Sequence, residues 1–376
     1  MCLEYEINAN DPNAKFLSVF WPIFKKFCLF ASFDVMYENG VYFAVSCIVI
    51  NLFHLLVLTQ KSMRSSSIYI IMAAIAVLDI LSLLYDVRRE IVKSIYTINL
   101  CYSRETDYFF VWSELLMESV RNYARRCSTW LSYSVTLIRT LVIRNPMNPK
   151  FESLSKPKAA SYFIFGVLIL AAPIHVLDLF KYDIVTANEN YQCNQWLSTN
   201  SLFYGYLLTD FFDQDSKRVY KIYRVVDGVQ SKIIPCVLFP ITTIILIRGI
   251  REAESRRRKL ASSTSVTDSK KTSGLVLALT LTFFLAELPL GIIFSLTPFS
   301  TLVTTNMDEI DLTMDLLLNP FEKFFLVSLT MTTATHMIIC VLMSSQYREA
   351  ASRFITCGYV PKEQGDDSMT SVSHAS

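Results

Sequence analysis

Ionisable side chains recur inside stretches of this chain that are otherwise strongly apolar, and their spacing is helical. Asp79, Asp86 and Glu90 are separated by seven and four residues, which puts three carboxylates on one face of a helix. Arg125 stands one turn from Arg121 on nearly the same face, and Arg139 lies 18 residues beyond Arg121. That is about five turns and about 27 Å of rise, so Arg121 and Arg139 share one azimuth at opposite ends of a helix. Glu287 precedes Pro289 by two residues in a further apolar stretch. Carboxylates and guanidiniums placed this way can pair with one another, accept or donate bidentate hydrogen bonds to a ligand, or organise a buried polar network. They do not suggest catalysis. The four His (His54, His175, His336, His374) stand alone and the nine Cys form no C-x-x-C pair, so neither a metal site nor a Cys/His dyad is expected. An intramembrane enzyme would need a Ser/His pair or two close Asp on facing helices, and Asp79 alone lies deep in its span. No cofactor is expected either.

The elements that must position these residues follow from composition. Of 376 residues, 52% are hydrophobic and 18% charged, a balance no soluble core can use. Nine Gly against 26 Phe and 19 Tyr suit helices in lipid better than phosphate-cradling loops. A net charge of +2 predicts no nucleic-acid partner. Six apolar runs are long enough to cross a bilayer: approximately Val41 to Leu58, Ile68 to Tyr85, Ala159 to Leu179, Val229 to Ile247, Gly274 to Thr297, and Phe324 to Met343. A seventh, between Trp112 and Ile143, keeps the helical pattern but carries Glu114, Glu118, Arg121, Arg125, Arg126 and Arg139. Charges inside a span face a cavity or other helices, so this segment is expected at the centre of a bundle.

Charge also sets an expected orientation. The segment after the fifth run holds Arg248, Arg251, Arg256, Arg257, Arg258, Lys259, Lys270 and Lys271 and is expected in the cytoplasm. The segment from Thr297 to Glu322 has no Lys or Arg but carries Asp308, Glu309, Asp311, Asp315 and Glu322, as expected outside. Seven spans then place the N-terminus outside. No basic region followed by an apolar stretch and a small-residue cleavage site opens the chain, so no removable signal peptide is read. The stretch Phe16 to Phe33 carries Lys25 and Lys26 at its middle and reads as an interfacial flank. The expected fold is therefore an all-α membrane protein, a seven-transmembrane helix bundle with a short C-terminal amphipathic helix. Its parts are an N-terminal segment over 1–36, the bundle over 37–343, and a cytoplasmic helix and polar tail over 344–376. Ser344 to Ile355 reads as the amphipathic helix lying along the membrane.

Several short stretches, in order along the chain, carry a resemblance. They are Asn51; Ala76-Val77-Leu78-Asp79; Arg126-Cys127-Ser128-Thr129-Trp130-Leu131 leading to Ile138-Arg139-Thr140-Leu141; Ala286-Glu287-Leu288-Pro289-Leu290-Gly291; and Met343-Ser344-Ser345-Gln346-Tyr347-Arg348. On these, nearly the whole chain resembles the rhodopsin-like G-protein-coupled receptors, and among them the nematode serpentine receptor class W, which is similar to FMRFamide-type peptide receptors. The sequence departs from the wider pattern at Ile138-Arg139-Thr140, where the arginine lacks its neighbouring acid. It departs again at Thr335-His336-Met337-Ile338-Ile339, where the usual Asn-Pro-x-x-Tyr is absent, and at Glu287, where most relatives have Trp.

The resemblance implies a plasma-membrane receptor coupled to a heterotrimeric G protein through Arg139, with arrestin as a further cytoplasmic partner. It implies a sodium ion or water network at Asp79 beside Asn51, and a pivot in the sixth helix at Pro289. The expected ligand pocket comprises Asp86, Glu90, Arg121, Arg125 and Glu287, with Glu287 paired to Arg125. An acidic rim at Asp308 to Asp315 would favour a cationic peptide, with Asp86 or Glu90 accepting its Arg side chain. A disulfide between Cys101 and Cys193 is implied by the subgroup, with Cys28 as the competing partner, and Cys357 stands as either a palmitoylation site or a plain thiol. The polar stretches Ser262 to Ser269 and Pro361 to Ser376 read as disordered, with sites for phosphorylation. Two other functions remain open: a chemosensory receptor for a small environmental molecule, and a transporter or channel using the polar helix faces as a path.

Overall fold

The computed structural model describes residues 39–98, 103–145, 148–187, 203–260, 284–295 and 322–356. The first helices, α1 (Gly40–Leu58) and α2 (Ser67–Ile98), precede the 41-residue α3 (Arg104–Arg144). A helical turn (Pro149–Glu152) and a 3-10 turn (Ser153–Ser155) lead into α4 (Pro157–Leu179). Strands β1 (Tyr182–Ala187) and β2 (Phe203–Leu208) follow. The long helix α5 runs through Asp210–Gly228, a π turn at Val229–Ile233, and Ile234–Leu260. Next come α6 (Phe284–Ser295), α7 (Glu322–Leu342) and α8 (Ser345–Ile355). Among the described residues, five helices are long and apolar enough to cross a membrane: α1, α2, α4, α5 and α7.

The charged third segment is a continuous helix, and it packs against α2, α4, α5 and the strands. Ser103 caps its start by accepting from Thr106 N at 3.2 Å, with Glu105 and Asp107 favourably placed in the first turn. Its inward face buries Arg126, Ser128, Thr129, Ser132 and Thr140. Its apolar face joins Ile71 and Ile75 of α2 and Ala160, Val167 and Ala171 of α4 through Cys127, Leu131 and Ile138. On α4, by contrast, Tyr162, Phe165, Ile169 and Leu170 are each more than 60% exposed, as a lipid-facing surface requires.

Two features depart from the expectation. Against the all-α expectation, the stretch after the fourth span contains an antiparallel hairpin with Tyr182 opposite Leu208 and Ala187 opposite Phe203. Its β-branched and aromatic residues suit a pleated pair. The start of α3 pins it: Asp107 accepts from Tyr204 N at 2.6 Å, Arg104 donates to Tyr204 Oη at 2.6 Å, and Tyr108 stacks edge-on against Tyr204. The fifth span also begins far earlier than Val229. Asp210 and Asp213 occupy the first turn of α5, and the helix continues through the π turn to Leu260. That π turn has a local cause, because Pro235 has no N–H for the Ser231 carbonyl and its ring crowds that carbonyl, so the ladder opens there.

In α7 the helix is interrupted at residues 333–334 and resumes at Thr335. No proline is present. Thr332, Thr333 and Thr335 each turn their hydroxyls back onto the carbonyl three residues earlier, competing with the helical ladder. The helix α8 forms as expected from Ser344 onward: Ser344 caps it by accepting from Tyr347 N at 3.0 Å, and Tyr347 buries its ring among Val57, Met72 and Cys340. The expected features at 1–36, Cys28, Cys101, Cys193, Ser262 to Ser269, Asp308 to Asp315, Cys357 and Pro361 to Ser376 lie outside the described residues.

Candidate functional site

Among the described residues, three cavities can be followed inside the bundle. The first, of about 720 Å³ with open solvent included, lies toward the hairpin and is bounded by α3, α5, α6 and α7. Its wall carries Arg121, Arg125, Arg126, Lys181, Arg224 and Lys232 together with Glu118, Asp227, Glu287 and Glu322. The second, of about 350 Å³, lies between α2, α3 and α7 and shares Arg121 and Arg125 with the first. The third, of about 1050 Å³ with open solvent included, begins at Arg125 and Glu287, passes Asp79, Ser128, Ser132 and His336, and reaches Arg139, Leu246 and Ile339. Along α3 the span from Arg125 to Arg139 is about 21 Å. These cavities together follow the bundle axis from near the hairpin to near α8.

At the hairpin end, charge organises the walls. Arg126, 4% exposed, donates to Asp227 at 2.7 Å and lies 3.5 Å from Asp178. Asp178 also accepts from Lys181 Nζ at 3.1 Å, Tyr223 Oη at 2.8 Å and Asn122 at 3.1 Å. One buried acid–base network thus ties α3, α4 and α5 together. Its members were not foreseen as site residues, although Asp178 interrupts the apolar run of the fourth span. Arg88 pairs with Glu114, which also accepts from Tyr85 Oη at 2.7 Å.

The five expected pocket residues do not all meet. Arg121, Arg125 and Glu287 line the larger hairpin-end cavity. Asp86 lines the smaller one, and Glu90, a turn further along α2, lines neither. Asp86 does not stand open to a ligand arginine: Arg89 lies at 3.8 Å and Arg121 and Arg125 each at 4.0 Å. The expected Glu287–Arg125 pair gives way to another. Glu287, 2% exposed, accepts from Lys232 Nζ at 2.8 Å, with Thr129 at 3.5 Å. The reason is the π turn, which lies at Val229–Ile233 and contains Lys232. Lys232 was legible as a lone cation within the fifth apolar run, but its partner depended on that local change of register.

Helices α5 and α6 approach closely beside this pair. A Cβ on Gly291 would come within 2.9 Å of Lys232 Cβ and 3.0 Å of Ile233 Cγ1, and one on Gly228 within 2.8 Å of Ser295 Oγ. Two glycines therefore permit the approach that the ion pair fastens. Pro289 lies inside α6, two residues past Glu287, where it withholds a backbone N–H from the helix.

Toward α8 the chemistry changes to hydroxyls and imidazoles. Asp79 accepts from Ser128 at 2.6 Å, and its Oδ2 lies 4.0 Å from His336 Nε2 and has no hydrogen-bond partner. Asn51 bonds to Cys47 O at 2.9 Å and to Thr333 Oγ1 at 3.5 Å, and its Oδ1 is likewise buried without a partner. The donor set of carboxylate and hydroxyl oxygens fits a water network or a monovalent cation. His54 Nδ1 and Tyr347 Oη, 2.8 Å apart, link α1 to α8. Among the described residues no cluster of three or more His, Cys, Asp or Glu is placed to hold a metal ion.

Comparison with known proteins agrees with this architecture. The profile of the family described as "Serpentine type 7TM GPCR chemoreceptor Srw" matches residues 37–358. The chain is similar to the G-protein coupled receptor dmsr-1 of Caenorhabditis elegans, at 22% identity over 224 residues, covering 59% of this chain and 43% of that relative. The matched region therefore spans less than half of the relative's length. With the family profile covering the bundle from α1 through α8, the chain belongs to the Srw family of serpentine seven-transmembrane G-protein-coupled chemoreceptors.

Proposed function

We propose that this chain is a plasma-membrane receptor, N-terminus outside, that binds a peptide-like ligand in the hairpin-end cavity and signals to a heterotrimeric G protein at the α8 end. The observation that carries this reading is the Lys232–Glu287 pair, which lines the hairpin-end cavity and at the same time joins α5 to α6. A ligand that contacts either partner changes the free energy of that joint. Binding therefore shifts the population between a joined and a separated arrangement of the two helices. The wall that separates then opens the third cavity, which Arg139 lines and where it would meet the G protein. Pro289 gives α6 the point about which it turns. Asp79, Asn51 and their hydroxyl partners form the polar network, with sodium or water, that favours the resting state. Arrestin would share the α8-end surface. Arg248 and Arg251 near the end of α5 support a cytoplasmic assignment for that end.

A second reading has its own support. The family is described as chemoreceptors, and a cavity that combines charged groups with the Phe294 ring also suits a small environmental molecule. Both readings are tested by expressing the chain with a promiscuous G protein and recording second messenger against peptide and small-molecule panels. A dose-dependent response that disappears in Arg139→Ala, at equal surface expression, is expected. A response retained in Arg139→Ala would remove Arg139 from the coupling role, and ligand-independent ion currents would favour a channel.

A further inference from the structure

We infer that the hairpin-end cavity recognises its ligand through an anionic group, a carboxylate or a group of like chemistry, rather than through a cationic side chain. The inference rests on the receptor reading above and specifies the chemistry of its ligand.

The argument comes from which buried polar atoms lack partners. Among the described residues, Arg121 Nε, Arg125 Nε and Arg126 Nη1 are buried donors without a hydrogen-bond partner, and all three residues line this cavity. Arg121 and Arg125 have Asp86 as an ion-pair neighbour, but only at 4.0 Å, beyond hydrogen-bonding distance. The remaining polar contact of Arg125 is a marginal one to Thr330 Oγ1 at 3.5 Å. On the opposite wall, Arg224 lies over the Phe294 ring at 4.4 Å. Two acids on the same wall are already committed, Asp227 to Arg126 and Glu287 to Lys232. Glu118 and Glu322 complete the charged lining. The lining thus carries four guanidiniums and two lysines against four carboxylates, a net positive wall whose unsatisfied buried atoms are guanidinium donors.

A buried N–H left unsatisfied costs free energy, and a ligand that supplies the acceptor recovers it. A carboxylate offers two oxygens to a planar fork, the geometry guanidinium matches best. A cationic ligand group would instead meet Arg121, Arg125 and Arg224 as like charges. The donors lie on α3 and α5, and Arg126 is already bonded to Asp227 of α5 beside the Lys232–Glu287 joint. An incoming anion would therefore compete with Asp227 and Glu287 for their cations, which couples recognition to the helix joint.

The test uses the full chain in lipid nanodiscs and reads its thermal midpoint. One arm offers short peptides made with free and with amidated C-termini; the other offers small aromatic acids and their primary amides. Wild type is expected to bind the carboxylate of the best pair at least about tenfold tighter than its amide. That preference is expected to fall below about threefold in Arg125→Gln and in Arg224→Gln. Arg224→Gln guards against a folding failure at the more buried Arg125, and the wild-type comparison needs no variant. Equal or tighter binding of the amides, stabilisation by neither member of any pair, or an undiminished preference in both variants would overturn the inference. The arm that yields the binding pair identifies the source, peptide or small acid. Signalling evoked by amides alone would overturn the anionic group while upholding the receptor; carboxylate binding with no signalling would do the reverse.

Discussion

The two ends of the bundle are built from the same helices but with opposite chemical deficits. At the hairpin end the unpartnered buried atoms of Arg121, Arg125 and Arg126 are donors. Toward α8, among the described residues, they are the acceptors Asn51 Oδ1 and Asp79 Oδ2 together with the ring nitrogen His54 Nε2. One end is held by full charges such as Arg126–Asp227, and the other by single hydrogen bonds such as Ser128–Asp79 and His54–Tyr347. The difference separates two tasks. Paired charges are expensive to break in a low-dielectric interior, so they fix the shape of a recognition site. Single hydrogen bonds exchange at lower cost than ion pairs, so they suit the part of the bundle that must rearrange. The Lys232–Glu287 pair lines both the hairpin-end and the α8-end cavities through Glu287, and so sits where the two regimes meet.

The comparison breaks most readily at Arg126. Arg126→Leu removes the ion-pair partner of Asp227 and one of the two cations on Asp178, and is expected to cost about 3–5 kcal/mol. Thermal unfolding in detergent would check this, and an unchanged midpoint would remove the charge network as the support of the hairpin end. Next, Glu287→Gln and Lys232→Met are each expected to destabilise the resting bundle and raise basal second messenger. Their double variant is expected to show a coupling of about 1–3 kcal/mol in a double-mutant cycle. Strict additivity would mean that the 2.8 Å contact is incidental. Gly291→Ala places a Cβ at 2.9 Å from Lys232 Cβ and should cost about 1–2 kcal/mol by forcing α6 off α5, read as a lowered midpoint with raised basal signalling. The smallest effect belongs to the α8 end, where Tyr347→Phe removes the bond to His54 and should cost about 1 kcal/mol. A loss as large as that of Arg126→Leu would erase the contrast between the ends.

Most spans were readable because a bilayer requires about 20 apolar residues in a row, and the chain supplies such runs at α1, α2, α4, α5 and α7. The central place of α3 was readable too, since its arginines and acids could only face other helices. The boundaries of α2 and α5 were not. Both helices continue beyond their apolar runs, to Ile98 and back to Asp210, over polar turns whose hydropathy resembles a loop. The hairpin was hidden for a related reason: its strands are six residues each and gain their order from Arg104, Asp107 and Tyr108, about a hundred positions upstream.

At the site, the sequence supplied the types of the charged residues and the helical faces of Arg121, Arg125, Arg139 and Asp79, because helical periodicity is a local property of the chain. It did not supply the pairings. Which cation meets Glu287 depends on the π turn that precedes Pro235, on two glycines that let α5 and α6 touch, and on the reach of Lys232. Which acid is open to a ligand depends on how many guanidiniums converge on it, and Asp86 has three within 4.0 Å. Helix identity and lipid-facing surface were therefore determined by local composition, whereas partner choice, the deficit of acceptors at one end and the joint between α5 and α6 were decided by tertiary packing, since each joins atoms from helices far apart in the chain.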